Sequence, residues 1–174
     1  MGSVILYGSQ YGSARRYAEA FSRMTGFPAA SFGAGADLSA CERVIYFGGL
    51  YAGGVKGLRQ TAAALPPDTA MVIVTVGLAD VAAPENIRSI RRSLRRQVPQ
   101  RVWDRAILFH LRGGIDYSRL SLRHRAMMAL LYRQVSRLPA EKQTAETRGI
   151  LETYGKAVDF FDSGALLPIL EAVR

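Results

Sequence analysis

Short, uninterrupted apolar runs alternate with helix-patterned segments along most of this chain, and this alternation limits its fold more than any other feature. Continuous apolar runs are typical of strands in a parallel sheet whose two faces are both covered by helices. The five predicted strands are Val4–Gly8, Ala29–Phe32, Arg43–Phe47, Met71–Val76 and Ala106–Leu111. The pattern therefore predicts an α/β fold built on a doubly wound, five-stranded parallel sheet.

Segments with apolar residues at helical spacing fill the gaps between these strands. The predicted helices are Ser13–Met24, Leu58–Leu65, Pro84–Val98 and Thr147–Phe161, and a short terminal helix is expected near Leu166–Leu170. We find no repeat, low-complexity tract or domain boundary, so we expect a single domain over residues 1–174. In such a domain, ligands bind beyond the carboxyl ends of the strands.

The segment between the fifth strand and the last long helix, Arg112 to Glu146, does not fit the simple alternation. An unstructured loop of this length is uncommon in a compact domain, so we expect a helical insertion there. Its middle, Leu122 to Leu138, has helical spacing and carries several arginines beside methionines and leucines. Two interpretations stay open: an extra helix packed against the sheet edge, or an amphipathic surface for an acidic partner or an anionic membrane.

The chain is strongly basic, with 23 Lys and Arg against 14 Asp and Glu and a formal net charge of +9. On the helix Pro84–Val98, one face carries Arg88, Arg91, Arg92, Arg95 and Arg96. This charge fits either a solvated basic face or an acidic partner, such as anionic lipid, nucleic acid or an acidic substrate. Nucleic acid is disfavoured, because the arginine rows lack interleaved aromatic residues for base stacking.

Targeting and metal-binding features are sparse. No apolar run is long enough to span a membrane, and the N-terminus lacks the basic region and cleavage pattern of a signal peptide. Cys41 is the single cysteine, which excludes an internal disulfide and a thiolate metal cluster. His110 and His124 lack ligand-spaced partners, so no metal site is predicted. We expect a cytoplasmic location.

The first strand–loop–helix junction, Val4 to Ala14, predicts an anion site. An apolar strand ends at Gly8, and a small polar loop leads into the first helix. Backbone N–H groups and the positive end of the helix dipole face whatever lies in front of such a loop. The predicted phosphate-binding residues are Ser9, Gln10, Tyr11, Gly12, Ser13 and Ala14. The alternative is a serine-rich helix cap that binds nothing.

Two further glycine-marked loops follow the third and fourth strands and should reach the same edge of the sheet. Tyr51 lies among glycines, which let a planar ligand approach the backbone while the aromatic ring offers its face. The loop after the fourth strand offers backbone donors and one carboxylate. The predicted binding residues are Leu50, Tyr51, Ala52 and Gly53 in the second loop, and Gly77, Leu78, Ala79 and Asp80 in the third.

The first loop differs from the common phosphate motifs. It matches neither GxxxxGK[ST] nor GxGxxG, and no clear acidic ribose-binding residue follows the second strand. A phosphate monoester at a strand–loop–helix junction fits a mononucleotide better than a dinucleotide. The chain also lacks the GxSxG motif of α/β-hydrolases.

These loops resemble those of the flavodoxin-like FMN-binding family. Ser9 to Ala14 stand where that family has its phosphate loop, T/S-x-T-G-x-T, and Leu50 to Gly53 resemble its loop with an aromatic residue beside the flavin ring. Gly77 to Asp80 correspond to its third flavin loop. The resemblance implies strand order 2-1-3-4-5, FMN at the three loops and redox chemistry by the flavin. Tyr11 and Ala14 replace the usual hydroxyl residues, and the third loop has no aromatic residue.

Within that family, the chain is similar to the branch containing menaquinone-dependent protoporphyrinogen oxidase. The likeness lies in Leu111-Arg112, Tyr117 and the basic helix that precedes the last helix. It implies an electron carrier or a small flavin-dependent oxidoreductase whose partner is an acidic redox protein, a porphyrin with carboxylates, or a quinone at a membrane surface. A cofactor-free flavodoxin-fold module that acts through its basic face is the alternative, and Tyr11 and Ala14 permit it.

Overall fold

A computed structural model of the protein describes residues 2–51 and 53–174. Its main sheet contains six strands, which are β1 Gly2–Gly8, β2 Ala29–Ser31, β3 Cys41–Tyr51, β4 Gly54–Val55, β5 Ala70–Gly77 and β6 Ile107–Arg112. The parallel strands lie in the order β2-β1-β3-β5-β6. The predicted α/β fold with a parallel central sheet is confirmed. The short strand β4, which pairs antiparallel with β3, was not predicted.

Seven α-helices accompany these strands in the described part of the chain. They are α1 Ser13–Thr25, α2 Leu58–Ala64, α3 Pro84–Arg95, α4 Gln100–Trp103, α5 Leu122–Val135, α6 Ala145–Thr153 and α7 Leu167–Val173. None of them, over these described residues, combines the length and apolar character needed to cross a membrane. The helices predicted before the fifth strand and inside the insertion are confirmed to within a few residues at each end.

Helices cover both faces of the sheet, which explains why its strands are continuous apolar runs. Alternate residues of a strand point to opposite faces. On β3, Ile45 and Phe47 pack against the face that carries α1 and α7, whereas Val44 and Tyr46 pack against the face that carries α2 and α3. All four side chains are fully buried. We call these two packed layers the sheet core.

A second, smaller unit, here called the cap, comprises residues 113–162 between β6 and the C-terminal helix. It contains a two-stranded antiparallel sheet formed by β7 Gly114–Asp116 and β8 Ala157–Asp159, with α5 and α6 between the two strands. The cap has its own buried cluster, which we call the cap cluster: Ile115, Tyr117, Met128, Val135 and Ile150. Tyr11 and Leu78, from two of the predicted site loops, pack against that cluster.

The predicted helix Thr147–Phe161 is wrong in its second half. Helix α6 ends at Thr153, Tyr154 leaves the helical conformation with ψ of 131°, and Gly155 has a left-handed conformation with φ of 75°. The chain then forms β8 instead of a further helical turn. The apolar residues beyond this break have helical spacing but do not share one face, because Val158 packs against the cap cluster and Phe161 against the sheet core.

Candidate functional site

The loops that follow β1, β3, β5 and β6 converge at the carboxyl edge of the sheet. A cavity of 50 Å³, the edge cavity, lies among them, and residues from all four loops line it. It therefore brings together residues of the three predicted loops: Ser9, Gln10, Tyr11, Ser13, Ala14, Leu50, Gly77 and Leu78. This is the place where ligands bind in open parallel sheets.

The loop between β1 and α1 keeps backbone donors directed outward. Gly12, with φ of 94°, is the N-cap of α1, and no side chain of the described residues caps the helix there. The first N–H groups of any helix lack intrahelical partners, and the helix dipole makes this end positive. The Ser9 hydroxyl accepts a hydrogen bond of 3.0 Å from Gly12 N and can still donate its own proton. The loop thus has the donors that an anion requires.

The hydroxyl of Ser13 joins the loop to the cap. Its Oγ donates to Gly114 O over 3.2 Å and accepts from Gly114 N over 2.9 Å. There is no room for a side chain at the neighbouring Gly113, because a Cβ there would lie 2.7 Å from Ser13 Cβ. Ser13 therefore fixes the position of β7 against the start of α1.

A cavity of 690 Å³, the polar cavity, opens in front of α1. Gln10, Tyr11, Gly12, Ser13 and Arg16 line it from the sheet side, and the cap contributes Asp116, Arg119, His124 and Asp159. A volume of this size is typical of small-molecule sites. The polar cavity is thus built by the predicted phosphate loop together with residues more than a hundred positions away.

The polar cavity contains charges of both signs. Arg16 Nη1 lies 2.8 Å from Asp159 Oδ2, and its guanidinium lies 4.0 Å from the centroid of the Phe161 ring. The hydrogen bond from Arg16 lowers the pKa of Asp159, and hydrogen bonds from Ser118 lower that of Asp116. Both carboxylates are therefore ionised at neutral pH. An anion at the start of α1 would depend on Arg16 and Arg119 to offset them.

Lys56 is a site residue that the sequence analysis did not predict. Its Nζ donates to Ser9 O over 3.2 Å and to Gln10 Oε1 over 2.8 Å, which places a positive charge against the phosphate loop. The Gln10 amide in turn lies 3.3 Å from His124 Nε2 on α5. The backbone of Lys56 also lies against the end of β1, because a Cβ on Gly8 would meet the Lys56 carbonyl. The sequence signal that could have identified Lys56 as a site residue is its position among the glycines that follow β3.

The second loop and the cap enclose a cavity of 290 Å³, the apolar cavity. Its walls include Leu50 and Tyr51 from the loop, Leu78 and Ala79 after β5, and Met127, Met128 and Leu131 from α5. Tyr51 contacts α5 through its hydroxyl, which lies 4.0 Å from Met127 Sδ. One carboxylate lines the cavity: Glu146 Oε2 accepts a 2.8 Å hydrogen bond from Gly53 N. Such walls suit a flat, largely apolar ring.

Two predicted site residues that the structure describes, Gly53 and Asp80, line none of these three cavities, although Gly53 N is bonded to Glu146 at the apolar cavity. Asp80 forms the turn before α3, where its Oδ1 accepts from Ala82 N over 2.9 Å and its carbonyl accepts from Asn86 Nδ2 over 2.9 Å. It lines a separate surface cavity with Arg148. Ala52 lies outside the residues that the structure describes.

The hydroxyl of Tyr117 is an unsatisfied polar group within the cap cluster, among the residues that the structure describes. Its side chain is buried in the cap cluster, and within residues 2–51 and 53–174 its hydroxyl has no hydrogen-bond partner. Burial, and to a smaller degree Tyr11 and Tyr154, raises the pKa of Tyr117 to about 12. The hydroxyl is thus a protonated donor in apolar surroundings.

Comparison with known proteins identifies the family of this chain. No curated protein matched it in sequence. Among solved structures, it is similar to a cysteine-to-alanine mutant of flavodoxin from Pseudomonas aeruginosa, with 19% identity over 77% of this chain and 96% of that one, and a TM-score of 0.41. Residues 4–139 match the family model of the flavodoxin domain. The chain belongs to the flavodoxin domain family.

Proposed function

We propose that this protein binds FMN at the carboxyl edge of its sheet and acts as a flavin-dependent redox protein. One observation carries the proposal: the free N-terminus of α1 and the aromatic ring of Tyr51 border two adjoining cavities, one polar and one apolar. FMN has the matching halves, a phosphate and a flat ring. Membership of the flavodoxin domain family supports the same conclusion.

The residues present fit the cofactor. Backbone N–H groups of residues 13 and 14 and the Ser9 hydroxyl would hold the phosphate, with charge supplied by Arg16 and Lys56. Leu50, Tyr51 and Leu78 would contact the ring. When bound, FMN supplies the redox chemistry, while the chain positions it and sets its electrostatic surroundings. Because Ala14 has no hydroxyl and that of Ser13 is bound to Gly114, the phosphate would depend mainly on backbone donors.

Fluorescence titration with FMN, with riboflavin as the matched ligand that lacks the phosphate, tests this proposal. We expect FMN fluorescence to be quenched at micromolar concentrations and riboflavin to bind about tenfold more weakly or worse. Ser9→Ala should weaken the binding of FMN but not of riboflavin, whereas Ser136→Ala, at the far end of α5, should change neither. Unchanged FMN fluorescence at micromolar protein would contradict the proposal.

The outward face of α5 is the proposed contact for a redox partner or substrate. Leu122 and Leu130 are 81% and 60% exposed there, with Leu130 at the rim of the apolar cavity, and the exposed Arg123 and Arg133 lie on the same helix. The exposed Arg137 follows just beyond its end. Arginines that flank exposed leucines fit an anionic membrane surface, where a quinone would be reached, or an acidic partner such as a redox protein or a carboxylated porphyrin. The helix also lies over the apolar cavity, so a molecule bound to it would be close to the flavin ring.

Vesicle sedimentation distinguishes this surface from the general basic charge of the chain. Arg123→Gln with Arg133→Gln should reduce binding to anionic vesicles more than Arg88→Gln with Arg92→Gln on α3, while FMN affinity stays the same in both variants. Equal losses from the two helices would show that only net charge matters. Equal binding to neutral vesicles would exclude an electrostatic contact.

A cofactor-free binding module is the second candidate function. The observation that favours it is the internal use of the phosphate loop, where Ser13 is bonded to Gly114 and Gln10 to Lys56. The same titration separates the two candidates, because a cofactor-free module would bind anionic surfaces and leave FMN fluorescence unchanged.

A further inference from the structure

We propose that the side chain of Tyr11 is a movable partition between the polar and apolar cavities, and that FMN binds only after this side chain has left its position. The inference rests on the proposed function, since it concerns how a ligand with a phosphate and a ring reaches both cavities at once. It assigns Tyr11 a role as a residue that controls access, in place of a phosphate ligand.

Tyr11 has a unique place among the predicted site residues of the described chain. It alone lines the polar cavity, the apolar cavity and the edge cavity between the loops. Tyr11 and Ile115 of the cap both line the polar and the apolar cavity. Because Ile115 is buried in the cap cluster on β7, a molecule whose phosphate lies at α1 and whose ring lies against Tyr51 must pass the Tyr11 side chain, which is the movable one of the two. The edge cavity offers no route past it, because its 50 Å³ is far below the roughly 300 Å³ of the smallest usual ligand pockets.

The Tyr11 side chain packs at the edge of the cap cluster, and its polar and ring contacts there are weak. Its hydroxyl lies 3.9 Å from Met128 Sδ, and a thioether is a weak acceptor. Its ring meets the rings of Tyr51 and His124 edge to face, at centroid distances of 6.2 and 6.3 Å. A rotated side chain would exchange the thioether for water, which is a better partner for the hydroxyl. The partition is thus held loosely enough to move.

The backbone around Tyr11 is fixed, so the motion is confined to the side chain. Gly12 N is bonded to the Ser9 hydroxyl, and Ser13 is bonded to Gly114 of the cap in both directions. Gln10 is held by Lys56. Rotation of the Tyr11 side chain between staggered conformers would therefore open the passage and leave the donors of the phosphate loop in place.

Fragments of FMN provide the test. Lumiflavin, the ring without its phosphate tail, and inorganic phosphate each need one cavity, whereas FMN needs both. We expect Tyr11→Ala to bind FMN about tenfold more tightly than the natural protein and to associate faster, with no gain in affinity for either fragment. Tyr11→Phe keeps the ring and should behave as the natural protein does. Tyr11→Thr, a second variant without the ring, should behave like Tyr11→Ala and stands in for it should Tyr11→Ala not fold.

Each other outcome has a defined meaning. Weaker FMN binding by both Tyr11→Ala and Tyr11→Thr would make Tyr11 a wall of the bound flavin and overturn the partition. Equal FMN affinity and rate in all variants would show that the ring does not obstruct the ligand, which also overturns it. Binding of neither FMN nor lumiflavin to any folded variant would instead contradict the proposed function itself.

Discussion

Buried side chains in the sheet core and in the cap have different surroundings. In the sheet core, Ile45, Phe47 and Ile73 are fully buried within continuous layers between strands and helices. In the cap cluster, Met128 lines the apolar cavity, and beside the cluster the rings of Tyr132 and Tyr154 stack at a centroid distance of 4.1 Å. The first region is closely packed, and the second leaves space.

The two regions contribute differently to the candidate site: the sheet positions the loops, and the cap encloses the cavities. Parallel pairing along β1, β3 and β5 fixes where the site loops end, and no residue of the cap is needed for that. The cap supplies one wall of both larger cavities, so its residues decide what the loops can bind. Variants of matched chemistry in the two regions can break or sharpen this comparison.

The largest expected effect is the loss of a core aromatic ring. Phe47→Ala should lower the free energy of unfolding by about 3–5 kcal/mol, because it leaves a cavity that the layers cannot fill. Met128→Ala in the cap should lower it by about 2 kcal/mol, the lower end for such a truncation, because Met128 already borders open space. Denaturant unfolding measures both. Equal losses would contradict the difference in packing.

The next largest effect is expected from replacing two glycines that share a left-handed backbone conformation. Gly57, with φ of 76°, has no room for a side chain, since a Cβ would lie 2.5 Å from Phe32 Cγ and would also meet the Tyr46 hydroxyl. Gly57→Ala should therefore lower the free energy of unfolding by about 2–5 kcal/mol, from backbone strain and overpacking together. Gly155 in the cap has φ of 75°, and no atom of the described residues lies within 4 Å of the added Cβ, so Gly155→Ala should cost only the backbone strain, about 1–2 kcal/mol of stability.

Unfolding at several pH values tests a partly buried histidine of the central sheet, His110 on β6. His110 Nδ1 lies 2.7 Å from Thr75 Oγ1, and its Nε2 accepts from Arg91 Nε over 3.3 Å. This network assigns the proton of the neutral ring to Nδ1. Burial, and then Arg91, lowers the pKa of His110 to about 4.

Because the unfolded chain takes up this proton near pH 6.5 and the folded chain only near pH 4, stability should fall as the pH drops through that window. The loss attributable to His110 should be about 3 kcal/mol, from a pKa difference of roughly 2.5 units at about 1.36 kcal/mol each. His110→Gln should flatten this part of the pH profile, and Arg91→Gln should flatten it less, since burial is the larger cause. An unchanged profile in His110→Gln would contradict the assignment.

The smallest expected effect compares two buried hydroxyls. Tyr17 in the sheet core donates to Arg112 O over 2.8 Å and accepts from Asp162 N over 3.0 Å. Tyr17→Phe should therefore lower the free energy of unfolding by about 1–3 kcal/mol, because it leaves both groups unpaired. Tyr117→Phe removes a hydroxyl that has no partner among the described residues, so it should leave stability unchanged or raise it by about 1 kcal/mol. Thermal unfolding of the two variants measures the difference.

The sheet could be predicted from sequence because its signals are local. Runs such as Met71–Val76 are bounded by a proline pair and a glycine, and each predicted site loop begins where such a run ends. The convergence of these loops then follows from parallel pairing alone. The predicted family resemblance rested on these loops, and it is confirmed by the family match over residues 4–139, which contain all three of them.

The cap could not be predicted to the same extent because its contacts are distant in sequence. Gly114 pairs with Asp159, and Gln10 contacts His124, across separations that no local pattern reports. Val158 and Phe161 kept a helical spacing although they pack against different clusters. Cavity residues such as Arg119 could be assigned to the site only once the cap was placed against the loops.

The absorption spectrum of the protein after incubation with FMN and removal of unbound flavin by gel filtration tests the central claim most directly. If the carboxyl edge of the sheet is an FMN site, the protein fraction should be yellow and should carry FMN in equimolar amount, and Ser9→Ala should retain less than Ser136→Ala. A colourless protein fraction from correctly folded protein would contradict the claim.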